Sequence, residues 1–299
     1  MSVLKEDLVR LIDNPESLRR RKIKNKFFHV VLFLCTIFGV VVLAFLLYDI
    51  LKKGLPWLSV DFIKNFPSRF PKKSGIYPAL LGSLMLILLT TVIAFPIGVG
   101  TAIYLEEYAG NNRFTEFIKL NIANLAGVPS IIYGMLGLAV FVRALGMGRS
   151  ILAGSFTMAL LILPIIIISS QEAIRSVPGI LKQASYALGT TKWQTVTGVI
   201  LPYAIPGILT GTILSVSRAL GEAAPLIVVG ALSYVSFAPS SVMDAFTTLP
   251  IQIFNWASMP KKEFQNVAAA GIIVLLIILL AVNAVAIILR DKYQIRMKD

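Results

Sequence analysis

The chain has 299 residues, of which 57% are hydrophobic and 14% are charged, and its mean hydropathy is +0.81. A soluble chain usually carries about 25% charged residues, so this composition indicates an integral membrane protein. A single cysteine excludes an internal disulfide, and a single histidine excludes a His/Cys metal cluster. The sequence has no G-x-x-x-x-G-K-[ST] motif, which excludes a P-loop ATPase. The net charge of +13 is interpreted as basic loops facing anionic lipid, not as a nucleic-acid surface.

Six stretches are long and apolar enough to cross a bilayer, which requires roughly 20 residues each. They predict an all-α, multi-pass protein of the plasma or inner membrane. The first stretch is a retained anchor because it is too long for a signal peptide and lacks an A-x-A-like cleavage site. The second and fifth stretches contain glycine and proline, including Pro96 and Pro225, which predicts tilt, kinks or partial breaks. The six stretches are residues 27–51, 76–105, 120–142, 151–170, 199–234 and 267–289.

Basic residues outside these stretches predict the orientation. With the amino terminus inside, 17 of them lie in cytoplasmic segments and 10 in external loops, so both termini are predicted to be cytoplasmic. The expected organisation is a basic cytoplasmic segment (1–26), one transmembrane domain (27–290) with a cytoplasmic loop at 171–201, and a tail (291–299). Residues 3–18 fit either a short helix at the membrane interface or a frayed basic tail.

The cytoplasmic loop has an unusual organisation. Pro178 can open a helix at its first position, Gly189 can end that helix in a left-handed conformation, and Thr190 or Thr191 can cap a second helix. Periodicity alone leaves open a surface elbow that covers the ends of the membrane helices. Apolar residues recur at helical spacing at Ile180, Leu181, Ala184, Ala187 and Leu188, with Lys182, Gln183 and Ser185 on the opposite side.

The loop resembles the E-A-A-x3-G-x9-I-x-L-P loop of ABC importer permeases. The matching residues are Q-A-S at 183–185, Gly189, and V-I-L-P at 199–202. Gln183, Ser185 and Val199 depart from the family pattern. The resemblance implies that residues 178–201 form the coupling helix, which seats in a groove of an ATPase subunit. The coupling residues that it implies are Gln183, Ala184, Ser185, Leu188, Gly189, Thr191 and Trp193.

Five further strings, in the same order, resemble the PstA-type permease subunits of phosphate ABC importers. Together they cover about residues 75–290. The resemblance implies a type I permease fold and half of a translocation pathway. It also implies a PstC-like second permease, two PstB-like ATPase subunits that bind ATP and Mg²⁺, and a PstS-like phosphate-binding protein, with no cofactor in this chain. The strings are GIYPALLGS at 75–83, GVPSI at 127–131, YALGT at 186–190, RALGEAAPL at 218–226 and LPIQIF at 249–254.

Charges inside the fifth stretch point to an anion pathway. Arg218 and Glu222 lie four residues apart, so they are expected to share a helical face and to pair. A guanidinium presents a fork of donors that suits phosphate oxygens. A purely internal ion pair that fixes helix packing is the alternative. Asn124 and Ser130 in the third stretch either line the pathway or hydrogen-bond across helices.

Other functions remain as alternatives. A permease for sulfate or molybdate would share the loop motif, since one arginine cannot distinguish these oxyanions. An ion-coupled secondary transporter would not need the coupling loop. A membrane assembly factor would not need a charged pair in a pore-like span. The sequence offers no Ser/His/Asp or paired-carboxylate constellation, so no catalytic residue is assigned, and ATP hydrolysis is expected in a partner subunit.

Overall fold

The computed structural model describes residues 15–110, 112–232 and 234–295, and within these ranges it contains helices and loops without strands. The predicted amino-terminal segment and tail lie partly outside the described residues, as does most of the helix considered at 3–18. Two compact units make up the chain, one up to Lys52 and the other from Lys53 onward. The first consists of most of α1 (Pro15–Gly54), a helix of 40 residues.

The second unit contains the remaining helices. Short 3₁₀ turns occur at Leu55–Trp57 and Pro71–Lys73. π-helical turns extend three helices, namely Tyr104–Tyr108 after α3, Leu138–Ala144 after α5, and Val196–Ile200 between α8 and α9. The helices are α2 (Val60–Lys64), α3 (Tyr77–Ile103), α4 (Arg113–Ala126), α5 (Ser130–Gly137), α6 (Ile151–Arg175), α7 (Gly179–Ala187), α8 (Lys192–Thr195), α9 (Leu201–Gly221), α10 (Ala224–Val229), α11 (Leu249–Ala257) and α12 (Lys262–Ile295).

Among the described residues, five helices are long and apolar enough to span a membrane, and α4 with α5 makes a sixth span if that pair counts as one. The prediction of about six spans is therefore confirmed. The third stretch is wrong as a single helix, because α4 and α5 meet at an angle of 102°. Pro129 explains this bend, since proline lacks an N–H group and disfavours helical geometry in the residue before it.

The irregularities expected in the second and fifth stretches have different outcomes. The fifth stretch is broken, as predicted, because α9 ends at Gly221 and Glu222 is extended (φ −82°, ψ 126°) before α10 begins. In the second stretch α3 runs unbroken through Pro96. Prolines also lie inside α6 (Pro164) and α9 (Pro206), so a proline in this chain does not by itself break a helix.

The core of the second unit surrounds α6, which packs against α3, α5 and α9. Small residues allow close approach between these helices, as in membrane bundles generally. A Cβ added at Gly211 of α9 would lie 2.1 Å from the Ser169 hydroxyl oxygen of α6. The helices α3, α5 and α9 are therefore held against one central helix.

Candidate functional site

The loop between α6 and α9 forms the predicted helix-turn-helix. Gly189 has φ +78°, which confirms the predicted left-handed turn. Thr191 caps α8 in a capping box, in which its hydroxyl accepts from the Gln194 N–H and the Gln194 side chain accepts from the Thr191 N–H. Pro178 occupies the N-cap of α7, so α7 begins one residue later than predicted.

The two sides of α7 differ in how far they are exposed. Leu188 on the apolar side is 85% exposed, whereas Ser185 on the polar side is only 7% exposed. The Ser185 hydroxyl lies 2.8 Å from that of Thr190 and 3.0 Å from that of Thr195, so buried hydroxyl groups satisfy one another. Ser185 is therefore buried although it lies with the polar residues opposite the apolar ones. An elbow that covered helix ends would bury the apolar side instead.

The exposed side of the loop includes most of the predicted coupling residues. Five large apolar side chains project from α7, the turn and α8, and this set is called the coupling face below. Gln183, Ala184, Gly189 and Thr191 are also exposed, while Ser185 lies beneath them. The coupling face consists of Ile180, Leu181, Tyr186, Leu188 and Trp193.

Two adjacent acids after α3 contact this loop and the membrane helices, and the sequence prediction missed them. Glu106 binds Arg175 of α6 through both carboxylate oxygens, with N–O distances of 2.9 and 3.0 Å. Its Oε1 also accepts from the Lys119 ammonium at 2.9 Å and from the Gln171 amide at 2.8 Å. The Glu106 side chain is only 11% exposed. It therefore joins the ends of α3, α4 and α6.

Glu107 points to the coupling loop instead. Its carboxylate is paired with the Lys182 ammonium of α7 at 2.5 Å, and its side chain is 8% exposed. Next to it, the Tyr108 ring lies 5.1 Å from the Lys192 ammonium at the start of α8. The only sequence signal for this cluster is a pair of acids at the end of an apolar stretch. This signal does not indicate which basic residues bind them.

Arg218 and Glu222 pair as predicted, but not on one continuous helix. The Arg218 Nε atom lies 3.6 Å from Glu222 Oε1, which makes an ion pair beyond hydrogen-bond length. The side chains are 52% and 21% exposed, respectively. Since Glu222 is the first residue after α9, the pair lies at the break between α9 and α10.

Glu222 also borders a small cavity of about 10 Å³, which has room for about one water molecule. Ser83 of α3 and Thr248 before α11 line the same cavity. The Ser83 hydroxyl accepts from the Leu249 N–H at 2.8 Å, and the buried Thr248 hydroxyl has no hydrogen-bond partner in the described part of the chain. Glu222 is thus adjacent to buried polar groups, whereas the Arg218 side chain is about half exposed.

Asn124 and Ser130 lie on either side of the α4–α5 bend. Asn124 is exposed and Ser130 is half-buried. Neither side chain forms a hydrogen bond within the described residues, so the cross-helix bonds considered for them are absent there. The α5 helix packs on α10, where a Cβ added at Gly134 would lie 2.7 Å from the Pro225 carbonyl oxygen. The helix α5, which follows the bend after α4, and the helix α10, which follows the break at Glu222, are therefore in direct contact.

Comparisons with known proteins agree with this architecture. The profile of a family described as "Binding-protein-dependent transport system inner membrane component" matches residues 94–299. Over 253 residues the chain is 36% identical to the "Probable ABC transporter permease protein YqgI" of Bacillus subtilis (strain 168), with 85% of this chain and 86% of that protein covered. It is 32% identical over 291 residues to the "Phosphate transport system permease protein PstA 1" of Mycobacterium tuberculosis (strain ATCC 25618 / H37Rv), with coverages of 94% and 91%.

A solved structure of similar fold belongs to a bacterial ABC transporter involved in the import of the acidic polysaccharide alginate. The TM-score is 0.67 at 16% identity, and the match covers 91% of this chain and 98% of that chain. The MetNI methionine ABC transporter in an inward-facing conformation gives a TM-score of 0.56 at 16% identity, with coverages of 71% and 93%. These likenesses concern the fold of the membrane-spanning subunit.

Proposed function

Because the chain belongs to the family of binding-protein-dependent transport system inner membrane components, we propose that it is one of two permease subunits of an ATP-driven phosphate importer. In this role it is a transport component and forms half of the translocation pathway. The observation that carries the proposal is the coupling face, a cluster of exposed apolar side chains on α7, the turn and α8, of which α8 begins with a capping box.

The coupling face supports docking to an ATPase subunit. Apolar side chains exposed together in a short loop mark an interaction surface. Polar contacts hold the opposite side, through Ser185 with its hydroxyl partners and Lys182 with Glu107. The loop is thus anchored to the membrane helices on one side and available to a partner on the other. ATP and Mg²⁺ would be bound by that partner, and no cofactor is assigned to this chain.

The loose ion pair supports an anion pathway. Half-exposed Arg218 keeps part of its donor fork free, and its 3.6 Å separation from Glu222 leaves room for a competing oxyanion. Phosphate is favoured because the chain is 32–33% identical to phosphate transport system permeases over 88–94% of its length. Sulfate and molybdate are the competing substrates, since their oxygens could accept from the same guanidinium.

The assembly that follows contains a PstC-like second permease, two PstB-like ATPase subunits and a PstS-like extracytoplasmic phosphate-binding protein. The exposed part of Arg218 would face the second permease, which would supply the other half of the pathway. Asn124 and Ser130 would line the same half of the pathway, because they flank the bend next to α10.

The test is transport by the reconstituted complex. The four proteins are co-expressed, purified in mild detergent and placed in proteoliposomes with ATP on the side of the ATPase. We expect ATP-dependent accumulation of labelled phosphate, with little inhibition by excess sulfate or molybdate. An ATPase variant without its P-loop lysine is the control. Uptake of sulfate or molybdate in preference to phosphate, or uptake without ATP, would contradict the proposal.

A further inference from the structure

We propose that Glu106 and Glu107 form the mechanical link through which movement of the coupling loop reaches the membrane helices. The inference rests on the proposed function, since it assumes that α7 is moved by an ATPase subunit. It goes further by assigning the transmission of that movement to two acids of the π-helical turn Tyr104–Tyr108. In this role they are positioning residues and do not touch the substrate.

Their adjacency gives the turn two directions of contact. Successive side chains on a helix diverge by roughly 100°, and by less in the wider π-helical turn. Glu106 accordingly binds Lys119, Gln171 and Arg175 on α4 and α6. Glu107 binds Lys182 on α7. One short turn therefore connects the loop to three membrane helices, counting α3 itself.

The burial of these contacts makes them suitable for transmitting movement. The two acidic side chains are 11% and 8% exposed and their lysine partners 28% and 25%, so these ion pairs are screened less by solvent and salt than fully exposed pairs. Glu106 is held by several donors at once, including both nitrogens of the Arg175 fork, and this restricts its rotation. A displacement of Lys182 would thus move a turn that cannot pivot independently of α4 and α6.

The link lies on the opposite side of α7 from the coupling face. Lys182 faces Glu107 at the end of α3 and Ser185 is buried against Thr190 and Thr195, whereas Leu188 is almost fully exposed. Removing the Lys182 charge should therefore leave the docking surface intact. ATP hydrolysis would continue, while less of it would be converted into substrate movement.

The experiment compares Lys182→Gln with Lys182→Arg in the reconstituted complex. Both substitutions lie on the loop, and only the first removes the charge that meets Glu107. The readout is the number of phosphate ions transported per ATP hydrolysed, with complex abundance and thermal stability measured on the same preparations. We expect this ratio to fall at least about tenfold in Lys182→Gln, because one partner of a largely buried pair is left alone, and to be mostly retained in Lys182→Arg.

Two further variants make the test specific. Glu107→Gln removes the link from the other side and should lower the same ratio. Glu116→Gln is the matched control, because Glu116 is an exposed acid on α4 that forms no ion pair among the described residues. An unchanged ratio in both Lys182→Gln and Glu107→Gln would overturn the proposal, as would a loss of assembly in both with the ratio intact. If the wild-type complex itself carries no phosphate, the proposed function fails instead.

Discussion

The Arg218–Glu222 pair has the properties of an ion pair that can exchange its partner, and not those of one that fixes helix packing. Structural pairs are commonly short and bidentate, as Glu106 and Arg175 are here. Arg218 instead contacts Glu222 at 3.6 Å and is half-exposed. A pair at this separation has no direct hydrogen bond to break, so an arriving oxyanion can replace the carboxylate as the partner of the guanidinium.

This difference predicts separate outcomes for charge removal and charge retention. Arg218→Gln should abolish phosphate uptake, because no cation remains at the break between α9 and α10. Arg218→Lys should retain a fraction of uptake, because a point charge remains while the fork geometry is lost. Uptake into proteoliposomes is measured beside the abundance of the assembled complex.

The double variant Arg218→Gln with Glu222→Gln distinguishes a pathway residue from a structural pair. It leaves neither charge without a partner, so the complex should assemble. We expect no phosphate uptake from that assembled complex. Normal uptake by the double variant would rule out a direct role for Arg218.

At the scale of helices, the contact between α5 and α10 positions the two broken spans. Gly134 makes this contact possible, because a Cβ there would lie 2.7 Å from the Pro225 carbonyl oxygen and 2.8 Å from its Cα atom. Both are backbone atoms, so a side chain cannot simply rotate away. The helices would have to separate.

Gly134→Ala should therefore destabilise the complex by about 1–3 kcal/mol, the usual effect of overpacking a core, and should lower uptake. Thermal unfolding in detergent measures the effect. Gly100→Ala is the matched control on α3, since no atom lies within 4 Å of a Cβ added there. Equal melting temperatures for the two variants would show that the contact is not limiting.

The coupling loop gives a second prediction for a helical element. Ala184 is exposed on α7, so Ala184→Asp should place a charge against the ATPase and reduce its association, without affecting membrane insertion. Co-purification of the ATPase measures this, with phosphate uptake in parallel. Wild-type levels of both would show that α7 does not dock there.

The turn at Gly189 can be tested separately from the helix. Gly189 has φ +78°, yet no atom lies within 4 Å of an added Cβ, so any penalty arises from backbone conformation and not from crowding. Gly189→Asn should be tolerated far better than Gly189→Val, because asparagine enters the left-handed region more readily than a β-branched residue. ATPase association is the measurement, and equal behaviour of the two variants would argue against a role for the turn.

These elements show which features the sequence can predict. The left-handed Gly189 and the Thr191 cap depend on neighbouring residues, and the prediction succeeded for both. The burial of Ser185 depends on hydroxyl groups that fold back from Thr190 and Thr195, which helical periodicity does not show. The Glu106 cluster joins residues up to 69 positions apart, so helical periodicity could not find it.

At the scale of the whole second unit, α6 separates two loop regions. Its first residues donate backbone hydrogen bonds to the loop between α10 and α11, from Ile151 to the Asp244 carbonyl and from Leu152 to the Val242 carbonyl. The N–H groups of Ser240 and Ser241, with the Ser240 hydroxyl, hold the pKa of the Asp244 carboxyl below its usual range. The other end of α6 carries Arg175, which binds Glu106.

A helix of 25 residues is about 38 Å long, which exceeds the roughly 30 Å hydrocarbon core. The loop around Asp244 and the coupling loop should therefore lie on opposite sides of the membrane. The charge distribution of 17 basic residues against 10 predicts that the coupling loop is cytoplasmic.

Cysteine labelling tests this orientation directly. Ser236 and Ala187 are both exposed, one in the loop after α10 and the other at the end of α7. In a background in which Cys35, the single cysteine, is replaced by serine, Ser236→Cys should react with a membrane-impermeant maleimide added outside intact cells. Ala187→Cys should react only after the membrane is opened. Cells with an outer membrane are permeabilised at that layer first. Both cysteines should be labelled once the inner membrane is opened, which is the control for their reactivity. Labelling of Ala187→Cys from outside intact cells would show that the orientation is the reverse of the predicted one. The coupling face would then lie on the side of the membrane where ATP is not available.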